Sequence, residues 1–132
     1  MIRNGGFPRI DFKNASFAKL RKVSNAAYRD LVDKILIDQE QVQATYQGLR
    51  DGVVFTNYRL IAINVQGITG KKKDLSSLPY AKVQAFSIET AGVLDLDCEL
   101  IIWFAGLGQV KLEFTAGSDI FWIGQLISAA SL

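Results

Sequence analysis

The chain has 132 residues, of which 49% are hydrophobic and 21% are charged, with a formal net charge of +2. This length and composition are typical of one folded domain with its own core, and the net charge is too small to indicate nucleic-acid binding. A single cysteine excludes an intrachain disulfide, and the lack of histidine removes the commonest general base and transition-metal ligand. We therefore expect no catalytic site, no metal and no cofactor.

The N-terminal residues predict an arm rather than a targeting segment. Residues 1–14 contain Gly5, Gly6 and Pro8 without a clear period, and they carry no apolar run typical of a signal peptide. No stretch approaches the roughly 20 apolar residues of a transmembrane helix. These features predict a cytoplasmic protein.

Residues 16–34 show apolar positions near one face of a 3.6-residue period, which predicts a helix. Ser16 is a suitable N-cap. The apolar positions are Phe17, Leu20, Ala27, Leu31 and Ile35.

Beyond residue 38 the period of the pattern becomes two, and β-branched and aromatic residues are frequent. Seven strands are predicted, at residues 41–46, 52–56, 59–65, 72–78, 83–90, 96–104 and 110–115. Short links rich in turn residues, including 67–70 and Gly92, favour an antiparallel meander over βαβ units.

The sixth predicted strand has two distinct faces. Cys98, Leu100 and Ile102 fall on one face, which we expect to point into the core, while Ile101 and Trp103 fall on the other. On the next strand, Val110, Leu112 and Phe114 are expected to point inward. The outward pair Ile101 and Trp103 needs cover from another surface.

The last segment predicts a helix beginning near Ser118, with Ser118 as the cap and Asp119 at its positive end. Its apolar surface, which includes Trp122, is wider than one contact requires. The predicted fold is mainly β: a pleckstrin-homology-like, seven-stranded antiparallel barrel or sandwich capped by a C-terminal helix, with an additional N-terminal helix. Residues 1–37 are assigned to an arm and helix, and residues 38–132 to the domain.

Four motifs carry a resemblance to bacterial pleckstrin-homology-like domains: VVFTNYRLI at 53–61, QGITGKKK at 66–73, LPY at 78–80 and SIETAG at 87–92. The resemblance implies a non-enzymatic domain that assembles into homo-oligomeric rings and binds other proteins through a polar surface where neighbouring copies meet. By position, the polar candidates are Thr56, Asn57, Arg59, Lys71, Lys72, Tyr80 and Glu89.

The leading hypothesis is a self-assembling scaffold or adaptor. The alternative is a peripheral membrane module that binds anionic lipid through basic residues, which include Lys71, Lys72 and Lys73 and those of the first 22 residues. The turn at 47–52 offers only Arg50, beside Asp51, which argues against a phosphoinositide pocket there. An enzyme is disfavoured because Cys98 faces inward and has no histidine to pair with.

Large apolar side chains indicate where copies could meet. The candidate oligomer interface is Ile101, Trp103 and Trp122, because large aromatic residues are enriched in interface cores. The predicted N-terminal helix is an alternative cover for these side chains, and both interpretations remain open. A basic N-terminal part and an acidic C-terminal part could also orient self-association.

Overall fold

The structure, a computed structural model, describes residues 14–66, 71–90, 97–115 and 118–132. The strands are β1 (Asn14–Val23), β2 (Val42–Gln47), β3 (Gly52–Thr56), β4 (Arg59–Gln66), β5 (Lys72–Pro79), β6 (Val83–Glu89), β7 (Cys98–Phe104) and β8 (Gly108–Phe114). The helices are α1 (Arg29–Val32) and α2 (Ile120–Ser131), and a 3₁₀ turn spans Tyr80–Lys82. The predicted arm at 1–13, the turns at 67–70 and Gly92, and Leu96 at the start of the sixth predicted strand lie outside the described residues.

Within the described ranges, eight strands form one sheet in the order β5-β4-β3-β2-β1-β8-β7-β6. All neighbouring pairs are antiparallel except β1 and β8, which run parallel. The mainly β prediction is confirmed. For six of the seven predicted strands, both ends lie within two residues of the observed bounds. For the strand predicted at 96–104 the end agrees, and its predicted start lies outside the described residues. Among the described strands, β5 and β6 form the two edges of the sheet, which is not closed into a barrel over these residues.

The predicted helix at 16–34 is wrong, since its first half is β1. This strand pairs with β8 through Asn14–Leu20 and then with β2 through Arg21–Val23, so it joins the two halves of the sheet. The register shifts between Phe17 and Leu20, and Lys19 has φ +54°. The extra residue of this bulge places two buried side chains three positions apart, a spacing that imitates a helix.

The second half of that segment contains only the short helix α1. Its Val32, with the half-buried side chains around it, covers the outer face of β3 and β4 and forms a small second core with Val54, Ile61 and Ile63. Residues 14–37, which the sequence analysis placed in an arm and helix, thus contribute a central strand and a covering layer.

The main core lies between the inner face of the sheet and α2. Leu100, Ile102 and Phe114 are fully buried there, together with Ile123 of the helix. The predicted inward faces of β7 and β8 are confirmed, and Cys98 is half-buried against the same core. The cap of α2 is Asp119 rather than Ser118, because the Asp119 carboxylate accepts a hydrogen bond from the Trp122 N–H at 3.1 Å.

Candidate protein-binding surfaces

The turn between β3 and β4 is organised by the hydroxyl of Thr56. This oxygen accepts hydrogen bonds from the backbone N–H groups of Tyr58 and Arg59, each at 3.0 Å. It donates to Oε2 of Glu40 at 2.7 Å. Thr56 is fully buried, and its side chain holds the turn.

Glu40 and Arg59 form a buried ion pair behind this turn. Nε of Arg59 lies 2.8 Å from Oε2 of Glu40, and Nη2 lies 2.8 Å from Oε1. Arg59 also donates to the carbonyl of Ile35 at 2.6 Å and to the hydroxyl of Ser77 at 3.0 Å. The pair therefore fastens the segment after α1 to β4 and β5.

The hydrogen bonds at Glu40 outweigh the effect of its burial. Burial alone would raise the pKa of this carboxyl, but the donors Arg59, Thr56 and the Ile37 N–H together hold the pKa below its ordinary value. The carboxylate is thus charged and fully hydrogen-bonded, which fits a structural role better than exchange of protons or ligands.

Asn57 and Tyr80 belong to the same internal network. Asn57 accepts from the N–H of Gln41 at 2.7 Å and donates to the carbonyl of Gln39 at 3.0 Å. The Tyr80 phenol donates to the carbonyl of Thr56 at 2.8 Å, and its burial raises the pKa of the phenol far above the ordinary value. These two predicted binding residues thus use their side chains mainly for hydrogen bonds within the chain.

The other predicted polar residues lie elsewhere. Along the β4–β5 hairpin, Arg59 is opposite Pro79 whereas Lys72 is opposite Gln66, so Lys71 and Lys72 lie at the far end of the hairpin. Glu89 lies on β6, the opposite edge strand of the sheet. The structure therefore does not bring the predicted polar residues into one surface, and a binding role for each stays a prediction.

The two basic stretches of the sequence do meet, at the end of the sheet that carries the β2–β3 turn. Gln47 pairs with Arg21 of β1, and Val65 beside the turn pairs with Lys73 of β5. We call this region the basic end; its exposed cations are Lys19, Arg21, Lys22, Arg50, Lys71, Lys72 and Lys73. Sequence reasoning missed this grouping because nothing in the residue pattern aligns β1 with the β4–β5 hairpin.

A cavity of about 410 Å³ opens at the basic end, between β1 and the β2–β3 turn. It is lined by Arg50, Asp51 and Asn64 among others. Burial raises the pKa of Asp51, although a hydrogen bond from the Val65 backbone and the charge of Arg50 oppose the shift. One cation beside one carboxylate is a weak lining for a polyanionic headgroup, which agrees with the expectation from the sequence.

The outer face of β6, β7 and β8 carries the apolar pair predicted from the sequence. Trp103 is 36% exposed and lies between Ala85 and Gln109 on the neighbouring strands. Ile101 is half-buried and lies between Ser87 and Lys111. We call these six residues the Trp103 surface. The alternative cover, an N-terminal helix over residues 16–34, is ruled out because β1 occupies a place within the sheet.

The third interface candidate, Trp122, faces inward more than expected. It is half-buried and packs against the main core, whereas its neighbour Phe121 is 61% exposed. Phe121 lines a groove of about 620 Å³ between α2 and β6, which also contains Phe86, Ile88 and Gly124. We call this the β6–α2 groove. The sequence showed the width of the helix's apolar surface but could not show which part remains open.

The described residues contain no helix with the length and apolar character needed to cross a membrane. Nor do they contain a group of three or more Cys, Asp or Glu side chains arranged to hold a metal ion.

Comparisons with known proteins agree with this architecture. A family model described as Bacterial PH domain matches residues 11–131. The uncharacterized protein YjqA of Bacillus subtilis (strain 168) is 41% identical over 112 residues, covering 83% of this chain and 90% of that protein. The crystal structure of a DUF1696 family protein with a pleckstrin-homology domain from Shewanella loihica PV-4 is 37% identical, with a TM-score of 0.75, covering 87% of this chain and 99% of that one. A pleckstrin homology domain from Shewanella amazonensis SB2B is 38% identical, with a TM-score of 0.62, covering 83% and 90% of the two chains.

Proposed function

Because the chain belongs to the Bacterial PH domain family, we propose that it is a non-enzymatic scaffold or adaptor that assembles with itself, as a ring, and binds other proteins. The observation that carries this proposal is the Trp103 surface. An aromatic side chain that is 36% exposed, beside the half-buried Ile101, gives a sheet face with an apolar centre and a polar surround. Interface cores are enriched in such aromatic residues.

The geometry of the surface suits contact with another folded protein. It is built on three paired strands, so its side chains are held by the backbone ladder rather than by a loop. Lys111 is held in place by a 3.2 Å ion pair between its Nζ and Oε2 of Glu99. A fixed apolar patch with an ordered charge beside it loses little conformational entropy on binding.

Replacing Trp103 tests the proposal. Trp103→Lys removes the aromatic group and adds a charge at an exposed position, so the fold should persist while assembly weakens. Loss of a central aromatic anchor typically costs 2 kcal/mol or more, or about a 30-fold rise in the dissociation constant. Leu49→Lys is the matched control, because Leu49 is 90% exposed and lies on the distant β2–β3 turn.

Multi-angle light scattering measures particle size, and circular dichroism checks that each variant is folded. A smaller, folded particle for Trp103→Lys with an unchanged Leu49→Lys particle supports the proposal. A wild-type chain that stays monomeric at high micromolar concentration contradicts self-assembly. If the wild type assembles and Trp103→Lys leaves that assembly intact, the Trp103 surface is not part of the interface.

The basic end favours a second candidate function, that of a peripheral membrane module that binds anionic lipid. Its exposed lysines and arginines gather at one end of the sheet, where they could act together on an anionic surface. Flotation with anionic and neutral vesicles tests this function at low and high salt. Lys72→Glu should weaken binding to anionic vesicles more than Lys34→Glu, an exposed lysine that follows α1. Wild-type protein that ignores anionic vesicles at low salt contradicts it.

A further inference from the structure

The tip of the β2–β3 turn presents an apolar side chain to solvent. The N–H of Gly48 donates to the carbonyl of Asp51 at 2.8 Å, which closes a tight turn with Leu49 and Arg50 at its tip. Leu49 is 90% exposed, so it adds almost nothing to the core. Short hairpin turns more often carry Gly, Asn or Asp at such positions. A single exposed leucine is common on protein surfaces, so the surroundings of Leu49 decide what it can do.

The base of the turn holds Leu49 in a fixed position. A Cβ at Gly48 would lie 2.9 Å from the backbone oxygen of Ala18, so the turn packs closely against β1. On the other side, the carboxylate of Asp51 accepts a hydrogen bond from the backbone of Val65 on β4. The tip is thus fastened on both sides, and little of it has to be ordered when it binds.

Cations lie on both sides of this leucine. Lys19 is exposed on β1, between two residues that line the cavity under the turn. On the β4–β5 side, Val65 is opposite Lys73, and Lys73 and Lys72 are both exposed. Leu49 therefore stands within the basic end rather than beside it.

The acidic side chains near the tip are covered. Asp51 is half-buried and bound to the Val65 backbone, and Asp74 of β5 is buried. The glutamates of the last three strands lie on the other side of β1 in the sheet order: Glu89 on β6, Glu99 on β7 and Glu113 on β8. Within the described chain, the accessible charge next to Leu49 is therefore positive.

An apolar tip among cations fits the surface of an anionic bilayer. Lysines are attracted to anionic headgroups, and an apolar side chain gains by leaving water for the boundary of the acyl chains. Two weak signals of this kind give an attachment that neither gives alone. A nucleic acid would use the cations but would offer Leu49 no apolar medium. The bilayer is the occupant that uses both features.

We propose that Leu49 enters the interfacial region of an anionic membrane as an apolar anchor, with the lysines on either side of it against the lipid headgroups. This inference rests on the membrane function that the basic end favours, and it adds an apolar contribution to that function. Salt separates the two contributions, because ions screen the attraction of the lysines but not the transfer of a leucine side chain out of water.

Replacing Leu49 tests the anchor. Flotation with vesicles of phosphatidylcholine, alone or with phosphatidylserine, measures the partition coefficient across a salt series. Leu49→Ser should lower partition into the anionic vesicles about tenfold, by the same factor at every salt concentration. Lys72→Glu should weaken binding most at low salt and progressively less as salt rises.

Leu107→Ser is the matched control. Leu107 is 44% exposed on the β7–β8 turn, which lies at the opposite end of β8 from Phe114, the residue that meets Leu20 of β1. This variant removes an exposed leucine from another hairpin turn and should bind like the wild type. Circular dichroism checks that each variant is folded.

A fluorescent label measures insertion directly. Leu49→Cys in a Cys98→Ala background carries an environment-sensitive dye, and lipids with spin labels near the headgroup quench a dye that enters the bilayer. The dye should be quenched at position 49 and not in the matching Leu107→Cys variant. Quenching together with a tenfold loss in Leu49→Ser that does not depend on salt supports the proposal.

The contrary results separate the anchor from the function on which it rests. Wild-type protein that ignores anionic vesicles at low salt overturns both. Wild-type protein that binds these vesicles while Leu49→Ser binds equally well overturns the anchor and leaves the membrane function standing. An unquenched dye at position 49, or a Leu49→Ser defect that disappears at high salt, also overturns the anchor alone.

Discussion

The Glu40–Arg59 pair gives the sharpest prediction about stability. Glu40→Gln keeps the shape of the side chain but removes its charge. The Glu40 side chain is fully buried and that of Arg59 is 17% exposed, so water can replace the lost interaction only in part. The carboxylate accepts from the Ile37 N–H, the Thr56 hydroxyl and two nitrogens of Arg59, and a glutamine amide cannot accept all four hydrogen bonds.

The expected loss follows from these contacts. Breaking a buried ion pair usually costs about 3–5 kcal/mol. Arg59 retains its hydrogen bonds to the Ile35 carbonyl and the Ser77 hydroxyl, and the glutamine retains one acceptor oxygen, so the loss should lie at or just below the lower end of this range. We expect Glu40→Gln to lower the free energy of unfolding by about 2–3 kcal/mol at neutral pH.

The pH dependence of this loss provides an independent check. Because the folded-state pKa of Glu40 is lowered, its stabilising contribution is complete above the ordinary value of 4.5 and is lost as pH falls through the folded value. Urea unfolding followed by circular dichroism, at one protein concentration and from neutral pH to about pH 3, should show the gap between wild type and Glu40→Gln closing on the acid side. The exposed neighbour Asp38 provides a control, and Asp38→Asn should change the stability by no more than about 0.5 kcal/mol. A Glu40→Gln variant as stable as the wild type at neutral pH, or a gap that does not change with pH, would refute the argument.

Four smaller predictions concern single positions. Thr45 is fully buried and its hydroxyl has no hydrogen-bond partner in the described chain. Thr45→Val should therefore raise the free energy of unfolding by about 1 kcal/mol, which a higher urea midpoint would show. Burial raises the pKa of the Cys98 thiol, so its reaction with a thiol reagent should stay slow at neutral pH and accelerate only above the ordinary pKa of 9.0; fast labelling at neutral pH would contradict the burial. A Cβ at Gly48 would lie 2.9 Å from the backbone oxygen of Ala18, so Gly48→Ala should cost about 1–3 kcal/mol in thermal or urea unfolding. Gly124→Ala should cost less, because the contact at 2.9 Å is the flexible end of an isoleucine side chain and alanine favours the helix.

The sequence predicted the strands well where alternation and buried position coincide. From Leu100 on β7 and from Val110 on β8, every second residue is apolar and buried, and on β7 the intervening Ile101 and Trp103 are apolar as well but lie on the outer face. Prediction failed at β1 because the bulge at Lys19 shifts the alternation by one residue in the middle of the strand. A parallel partner such as β8, almost a hundred residues away, leaves no local signal that could have corrected the error.

The candidate site was harder to predict than the fold for a related reason. Thr56, Arg59 and Tyr80 look like surface groups in a turn-rich sequence, yet they are bound to Glu40 and to backbone groups inside the chain. A polar residue near a turn can either be exposed for binding or form hydrogen bonds inside the chain. Which of the two holds depends on a partner residue that lies on another element. For Glu40 that partner is 19 residues away along the chain.

The pairing of β1 with β8 also changes how the charge difference between the two ends of the sequence is interpreted. A basic N-terminal part and an acidic C-terminal part suggested separate poles that could attract each other between copies. In the structure β1 and β8 are neighbours, with Leu20 opposite Phe114. The described part of the basic stretch, with Lys19, Arg21 and Lys22, therefore lies on the strand next to the one that carries Lys111 and Glu113. Since these charges share one sheet, the split along the sequence does not place them at opposite poles of the molecule, and a charge-directed contact between copies does not follow from it.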